Sequence, residues 1–219
     1  MRKPSHGVGE AGLGRHLADH AGAASAPARR AGARGSAHVV ITGRHQDPPG
    51  AAAAALGRDA TGVAGDVGEI ADVVCLADVF AAELGRVDVL VASAGVRTWN
   101  EPIGDVTEES FAAVFGVNVR GTFFAAQKLL ALLSDGASIV LVGSGAADKG
   151  DPATTGYAAS EAALRSFARA SITDLRDRET RVNALSPAAI ETPASADLPP
   201  GFTEKIAARV PIGRLRADP

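Results

Sequence analysis

Between residues 38 and 185 the chain alternates short apolar runs with longer helical segments, and this alternation constrains the fold more than any other feature. Apolar runs bounded by turn residues predict strands at residues 38–42, 61–64, 87–92, 138–142 and 181–185. Helices are predicted between them, at residues 51–56, 69–84, 107–133 and 157–175. Strands and helices that alternate in this order indicate an α/β fold with a doubly wound parallel sheet.

The helix predicted at residues 107–133 is the longest. Thr107 opens it, with Glu108 and Glu109 in its first turn. Its apolar stripe, which we expect to face the core, consists of Phe111, Phe115, Val119, Phe123, Ala126, Leu130 and Leu133. The helix at residues 51–56 is expected to begin only after the turn residues 48–50.

Residues 1–37 differ in composition from the rest of the chain. They are rich in Ala, Gly and Arg, and residues 21–37 contain no large aliphatic side chain. Such a stretch buries little apolar surface to offset the entropy lost on ordering, so we expect disorder or a loose helix there. A chain of 219 residues fits one α/β domain, which we place at residues 38–219.

Charge and composition exclude several classes of partner. The net charge of −3 provides no basic surface for nucleic acid. The chain contains no run of about 18 apolar residues that could span a membrane. The single cysteine cannot form an intrachain disulfide, and the five histidines lack the spacing of metal ligands. We therefore expect a cytoplasmic protein with no nucleic-acid partner, no membrane partner and no metal.

The residues that follow the predicted strands are mostly small or polar. They are Thr42, Gly43 and Arg44, then Asp66 and Val67, then Ser93, Ala94 and Gly95, then Gly143, Ser144 and Gly145, and finally Ser186 and Pro187. Ligands of open α/β sheets bind beyond the carboxyl ends of the strands. Each group alone is explained by an ordinary turn, but together they favour a crevice for a ligand that lies close to the backbone.

Three chemistry-bearing residues have the spacing of a known catalytic set. Tyr157 begins a Y-x-x-x-E run, Ser144 lies 13 residues before it, and Asn118 begins an N-V-x-G run. The set resembles that of the short-chain dehydrogenase/reductase family, whose Y-x-x-x-K signature has Glu161 at its last position here. The resemblance implies that Tyr157 exchanges a proton with a carbonyl or carbinol oxygen, that Ser144 orients this oxygen, and that Asn118 supports a water relay.

Further motifs in the family's order extend the resemblance from about residue 38 to residue 214. They imply a Rossmann-type domain that binds a nicotinamide dinucleotide and a small carbonyl or alcohol substrate. The expected cofactor contacts are Gly12, Gly14, Arg44, Asp66, Val67, Ser93, Ala94, Gly95, Pro187, Ile190 and Thr192. The resemblance also implies a homodimer through the helices at residues 107–133 and 157–175, with apolar surface from Phe124, Leu129, Leu132 and Phe167.

Arg44 decides the expected choice of cofactor. At this strand end an acidic residue would accept a hydrogen bond from the 2′-hydroxyl of NAD, whereas an arginine can pair with the 2′-phosphate of NADP. Asp47 is a weaker candidate for binding NAD. We therefore expect NADP(H) rather than NAD(H), with an ordinary surface role for Arg44 as the alternative.

Glu161 puts a negative charge where the family has lysine. At about 5 Å and an effective dielectric near 20, a unit charge is worth roughly 3 kcal/mol. An ionised Glu161 should raise the pKa of Tyr157, where lysine would lower it, and it cannot donate a hydrogen bond to a ribose hydroxyl. Arg165 is placed to pair with Glu161 at i+4, and Lys149 lies in a turn and is expected to be solvated.

Both ends of the domain depart from the family pattern. Residues 7–14 keep the later glycines of the phosphate loop, but Val8 stands at its first glycine and no apolar run precedes it. A frameshift or an aberrant start would explain this. Residues 210–215 resemble the segment before the family's last helix and strand, and the chain then stops at Pro219. We therefore expect a sheet that is incomplete at both ends.

Two functional hypotheses follow from these features. The first is an oxidoreductase that transfers hydride between NADP(H) and a carbonyl or alcohol substrate, with activity that is weak or lost. The alternative is a catalytically inactive family member or fragment that acts only as a binding or dimerisation partner. A flavodoxin-like or response-regulator domain fits poorly, since the positions of Asn118, Ser144 and Tyr157 would then be coincidental.

Overall fold

The predicted apolar runs form parallel strands in the computed structural model, which describes residues 17–19, 38–44, 47–56, 59–98, 100–191 and 201–217. The strands are β1 Leu17–Asp19, β2 Val39–Gly43, β3 Ala60–Ala64, β4 Val87–Ala92, β5 Val96–Thr98, β6 Leu133–Val142, β7 Arg181–Leu185, β8 Ile190–Glu191 and β9 Arg216–Ala217. The α-helices are α1 Asp47–Leu56, α2 Ile70–Leu84, α3 Glu108–Phe115, α4 Thr122–Leu129, α5 Ala146–Lys149, α6 Thr155–Asp174 and α7 Phe202–Ala207. In these ranges no helix is both long and apolar enough to cross a membrane.

The central sheet has the order β4–β6–β7, and all three strands are parallel. Leu141 of β6 lies opposite Ala92 on one side and Ala184 on the other. It is fully buried, as expected for the middle strand of a sheet covered on both faces. The core of this half consists of Val87, Leu133, Ala137, Ile139, Leu141, Ala168 and Val182.

A second parallel pair, β2 and β3, lies before the central sheet in the chain. Within the described ranges no ladder of hydrogen bonds joins this pair to β4. The α/β class and the parallel strand direction are therefore confirmed, and the sheet is incomplete, as the sequence predicted.

The helix predicted at residues 107–133 is divided into several parts. A π-helical segment, Gly116–Gly121, separates α3 from α4, and a 3-10 turn at Leu130–Leu132 ends the helix before β6 begins. Thr107 caps α3, since its side chain accepts a hydrogen bond from the backbone N–H of Ser110.

The prediction of which face of this helix is buried was wrong for the aromatic positions, although Ala126 and Leu133 of the predicted stripe are buried. The buried positions are Ser110, Val114, Asn118, Gly121, Thr122, Ala126 and Leu129. The aromatic positions of the predicted core stripe lie on the other side, with Phe111 46% and Phe123 42% exposed. Leu129, expected at a dimer interface, is instead 4% exposed and belongs to the core. Small and polar side chains face the sheet because the helix approaches the neighbouring loops closely, as at Gly121.

Several elements differ from the sequence prediction. Helix α1 begins at Asp47, because prolines are tolerated in the first turn, where no backbone N–H is needed. Strand β6 begins at Leu133, five residues before its predicted start at residue 138. The antiparallel pair β1–β5 and the parallel pair β8–β9 were not predicted. Strand β1 falls within residues 1–37, where disorder or a loose helix was expected.

Candidate active site

Tyr157 lies in the first turn of α6 and is only 8% exposed. Ser144 follows β6 in a segment that is held beside the end of β7. There the N–H of Gly143 donates to Leu185 O at 2.8 Å, and the N–H of Gly145 donates to Pro187 O at 3.0 Å. The side chains of Ser144 and Tyr157 are hydrogen-bonded to each other. The strand end thus brings the two predicted hydroxyls together.

Asn118 lies in the π-helical segment and is 1% exposed. Its Oδ1 accepts from Val96 N at 2.8 Å, and its Nδ2 donates to Val96 O at 2.9 Å. The same Nδ2 also lies 3.0 Å from Ser160 Oγ and 3.2 Å from Glu161 Oε1. The amide hydrogens of Asn118 are therefore occupied by protein acceptors, and the side chain ties β5 to α6. π-Helical turns often occur at functional sites.

Ser160 is fully buried and links Asn118 to the catalytic helix. Its hydroxyl donates to Tyr157 O at 2.7 Å and accepts from Asn118 Nδ2. Hydroxyls on helices commonly bond to the preceding turn in this way. This link could not be predicted from the sequence, since a serine within a helix gives no signal of it.

Glu161, at the family's lysine position, is 5% exposed. Its carboxyl group is hydrogen-bonded to the hydroxyl of Tyr157, and Oε1 accepts from Asn118 Nδ2. On the other side, a Cβ placed on Gly143 would lie 3.2 Å from Oε2. Glu161 therefore fills the space between the end of β6 and the π-helical segment, where it is shielded from water.

The burial of this pair raises the pKa of both groups. The pKa of Tyr157 rises to about 12, first because of desolvation and second because of the negative charge of Glu161. The pKa of the Glu161 carboxyl rises to about 7, also because of desolvation, against the opposing effect of its hydrogen bond from Tyr157. The expected direction for Tyr157 is thus present, while a pKa of about 7 leaves Glu161 about half protonated near pH 7.

Arg97 is a second charged group near the pair, and nothing in the sequence predicted its presence there. It lies in β5 and is half-buried, and its positive charge lowers the pKa of Tyr157. Burial lowers the pKa of Arg97 itself to about 10. The expected pairing of Arg165 with Glu161 is wrong, because Arg165 forms its ion pair with Asp148 instead. Lys149 is exposed, as expected.

The loop after β3 contains Asp66 and Val67, two of the expected cofactor contacts. Asp66 Oδ1 accepts from Gly68 N at 2.8 Å, and Asp66 N donates to Asp72 Oδ2 at 2.9 Å. A Cβ placed on Gly121 would lie 2.6 Å from Val67 O, so this loop is in close contact with the π-helical segment. These contacts hold the loop in one conformation at the edge where β2 and β3 end.

The other expected cofactor contacts fall into two groups. Those that the structure describes lie after the strands, with Arg44 directly after β2, Ser93, Ala94 and Gly95 between β4 and β5, and Pro187 and Ile190 after β7. Gly12, Gly14 and Thr192 lie outside the described residues. Arg44 thus provides a cation after β2, and Ser144 provides a hydroxyl after β6, which are the kinds of donor that the two ends of a dinucleotide need.

A family model described as enoyl-(acyl carrier protein) reductase matches residues 17–219. A short-chain dehydrogenase/reductase of Brucella melitensis superposes with a TM-score of 0.81 at 28% identity, over 88% of this chain and 78% of that one. The chain belongs to the short-chain dehydrogenase/reductase family. Its members are oxidoreductases that use nicotinamide cofactors.

Two further relatives of this short-chain dehydrogenase/reductase define the similarity. An oxidoreductase of Sarocladium schorii is 42% identical over 158 residues, which are 71% of this chain and 63% of that protein. A 3-ketoacyl-(acyl-carrier-protein) reductase of Brucella melitensis, complexed with NADH, superposes with a TM-score of 0.79 at 29% identity, over 89% of this chain and 80% of the other. The chain thus spans less than two thirds of the length of the Sarocladium schorii oxidoreductase.

Proposed function

We propose that this chain is a reductase that transfers hydride between NADP(H) and a small carbonyl or alcohol substrate, with Tyr157 as the proton donor. The observation that carries the proposal is the hydrogen bond between the side chains of Ser144 and Tyr157 beyond the carboxyl end of β6. Two hydroxyls held together at a strand end can both reach one substrate oxygen, which is the geometry that general acid catalysis requires.

In reduction, Tyr157 gives its proton to the carbonyl oxygen of the substrate, and Ser144 donates a hydrogen bond to the same oxygen. A bound nicotinamide would supply the hydride. Asn118 is a positioning residue, because its amide group already holds β5 against α6. This role replaces the water relay that the family resemblance implies for Asn118.

The protonation states of the site favour reduction over oxidation. With its pKa raised to about 12 by burial and by Glu161, Tyr157 remains a phenol near neutral pH and can donate a proton. Oxidation of an alcohol needs the phenolate, which is scarce. Above about pH 7 Glu161 ionises and opposes the negative charge that develops on Tyr157. We therefore expect reduction below pH 7 and activity that is weak or lost above it.

The preference for NADP(H) over NAD(H) rests on Arg44, which is exposed directly after β2. The guanidinium group would pair with the 2′-phosphate. Asp66 and Val67 would contact the adenine, and Ser93, Ala94, Gly95, Pro187 and Ile190 would line the path to the nicotinamide. Because a charge-assisted hydrogen bond contributes roughly 1.5–3 kcal/mol, Arg44→Asp should weaken NADPH binding about ten- to a hundred-fold. Fluorescence titration checks this, and an equal loss of NADH binding would argue against a 2′-phosphate contact.

The test of the reductase proposal is turnover of a carbonyl panel with NADPH and NADH at about pH 6, below the pKa of Glu161. We expect NADPH oxidation by the natural chain and loss of about a hundred-fold or more in Tyr157→Phe. Ser166→Ala, which removes an exposed hydroxyl from the same helix, is the matched control and should have no effect. Equal turnover by the natural chain and Tyr157→Phe would refute the assignment of Tyr157.

A second candidate function, that of an inactive family member acting as a dimerisation partner, is favoured by the carboxyl group at position 161. The homodimer itself is expected under both functions. Phe111, Phe123 and Ile172 are 46%, 42% and 47% exposed, and the ring of Phe123 lies tilted against that of Phe167 at a centroid distance of 5.0 Å. A groove of about 440 Å³ runs beside them, lined by Ala112, Phe115, Gly116, Val119, Arg120, Phe123 and Phe124. Exposed aromatic groups next to a groove are typical of subunit interfaces.

Sedimentation velocity tests the interface. The natural chain should be a dimer at micromolar concentration and Phe123→Asp a monomer, because a charge would be buried at the contact. Glu109→Gln, an exposed change in α3, serves as the control. A monomeric natural chain would refute the dimer, while a dimer without turnover under any condition would favour the inactive partner.

A further inference from the structure

Tyr157 and Glu161 form a buried, hydrogen-bonded pair on consecutive turns of α6. Tyr157 is 8% and Glu161 5% exposed, and the phenol hydroxyl bonds to the carboxyl group. The other described contact of the carboxyl group is Asn118 Nδ2 at 3.2 Å, which is a neutral donor. Tyrosine and glutamate are both proton carriers, so the pair can hold two protons, one or none.

The charged groups around this pair leave the carboxyl group without a cation in the described part of the chain. On α6 itself, Arg165 is paired with Asp148 of α5. Lys149 of α5 is exposed, and the guanidinium group of Arg120 in the π-helical segment donates to Gly68 O at 2.9 Å. On β5, Arg97 acts on the charge of Tyr157. The end of β6 brings only Gly143 and the hydroxyl of Ser144 to the pair.

A buried carboxylate without a cation is costly, and the simplest way to remove the cost is to bind a proton. The pKa values of about 7 for Glu161 and about 12 for Tyr157 agree with this geometric argument. Both groups then hold their protons in weakly acidic solution. Glu161 is the stronger acid of the two, so a phenolate formed at Tyr157 would take the proton of Glu161.

We propose that Glu161 works in its protonated form, as the carboxylic acid that returns a proton to Tyr157 during carbonyl reduction. The inference rests on the proposed reductase function. In this chain a tyrosine–carboxylic acid pair stands where the family has a tyrosine–lysine pair. Arg97 is the cation that stabilises the negative charge on the pair after Tyr157 has given its proton to the substrate.

The proton balance of the step is complete. The O–H bond of Tyr157 breaks as its proton moves to the substrate oxygen, which becomes the alcohol once the reduced nicotinamide has given its hydride to the carbonyl carbon. The O–H bond of Glu161 then breaks, and its proton restores the phenol of Tyr157. The carboxylate of Glu161 recovers its proton from the solution only when the site opens to exchange product, which closes the proton balance. Once Glu161 has lost its proton it cannot return one to Tyr157, so reduction should slow as the pH rises through the pKa of Glu161.

The first measurement needs neither cofactor nor turnover. Tyr157 is the only tyrosine of the chain, so the tyrosine part of the ultraviolet difference spectrum, separated from the band of the single tryptophan, reports on this site. As the pH rises, ionisation of Glu161 should perturb the phenol spectrum in one step near pH 7. The step should be absent in Glu161→Gln and unchanged in Glu83→Gln, which alters an exposed glutamate of α2. A step below about pH 5, where ordinary carboxyl groups titrate, would overturn the proposal.

The second measurement is the pH dependence of carbonyl reduction in the holoenzyme. The natural chain should lose kcat as the pH rises through about 7, with little change in KM. Glu161→Gln should have a kcat about a hundred-fold lower at acidic pH and no pH step near 7. A kcat that stays constant as Glu161 ionises would overturn the proton transfer from Glu161 to Tyr157, but it would leave the reductase function intact. A spectral step near pH 7 in a chain that reduces no substrate at any pH would refute both the proton transfer from Glu161 and the reductase function. It would also show that the protonation state of the site is not the cause of the inactivity.

Discussion

Reversing the charge at position 161 should produce a large shift in the pKa of Tyr157. The perturbations are Glu161→Gln, which removes the charge, and Glu161→Lys, which reverses it. In the natural chain the pKa of Tyr157 is about 12, with desolvation as the first cause and the charge of Glu161 as the second. Desolvation should persist in both variants, because neither opens the crevice between β6 and the π-helical segment.

The magnitude follows from the direct hydrogen bond between the two side chains. At about 4–5 Å and an effective dielectric near 20, a unit charge is worth roughly 3–4 kcal/mol. At roughly 1.4 kcal/mol per pKa unit, this is about 2 to 3 units. We therefore expect a pKa of Tyr157 near 10 in Glu161→Gln and near 8 in Glu161→Lys, both as order-of-magnitude values.

The assay is spectrophotometric titration of the single tyrosine, in which tyrosinate absorbance is followed against pH. Glu83→Lys makes the same chemical change on the exposed face of α2 and should leave the titration unchanged. The reasoning is refuted if Glu161→Lys still titrates within about one unit of the natural chain, because the carboxyl charge would then have no control over Tyr157.

Three further predictions concern stability in urea. Because Glu161 is buried and its pKa is raised to about 7, the natural chain should lose about 3 kcal/mol as the pH rises from about 4.5 to above 7, and Glu161→Gln should abolish this loss. Asn118→Ala leaves buried backbone groups of β5 unpaired and should cost about 2–4 kcal/mol, while Asn183→Ala, at an exposed position, should cost about 0.5 or less. Gly121→Ala places a Cβ 2.6 Å from a backbone oxygen and should cost about 1–3 kcal/mol, whereas Gly116→Ala meets nothing within 4 Å and should be neutral or stabilising. Equal effects within either matched pair would contradict the packing described.

The order of strands and helices could be predicted from the sequence because apolar runs bounded by turns report local structure. The burial of α3 and α4 could not be predicted in this way. Phe111 and Phe123 follow the helical period, but periodicity does not distinguish a face that packs on the sheet from one that packs on another subunit. The face toward the sheet instead contains Asn118 and Thr122, whose polar groups are acceptable there because they are hydrogen-bonded or small.

The sequence could predict that Asn118, Ser144 and Tyr157 lie near one another, but it could not predict the charges around them. Motif spacing placed Asn118, Ser144 and Tyr157 together, because strand ends and helix starts of a parallel sheet meet at one edge. The proximity of Arg97 depends on where β5 lies, and no local pattern in the sequence predicts the pairing of β5 with β1. The raised pKa of Glu161 depends on its burial, which its position in the motif does not reveal.

The central claim, that this chain transfers hydride with the help of Tyr157, is tested most directly by isotope transfer. Reduced NADP carrying deuterium at its transferable position is incubated with the chain and a carbonyl panel at about pH 6, below the pKa of Glu161. The account predicts an alcohol product with one deuterium on the former carbonyl carbon, and little or none from Tyr157→Phe. Firm binding of the cofactor with no deuterium in any product, over the range from about pH 5 to 9, would contradict it.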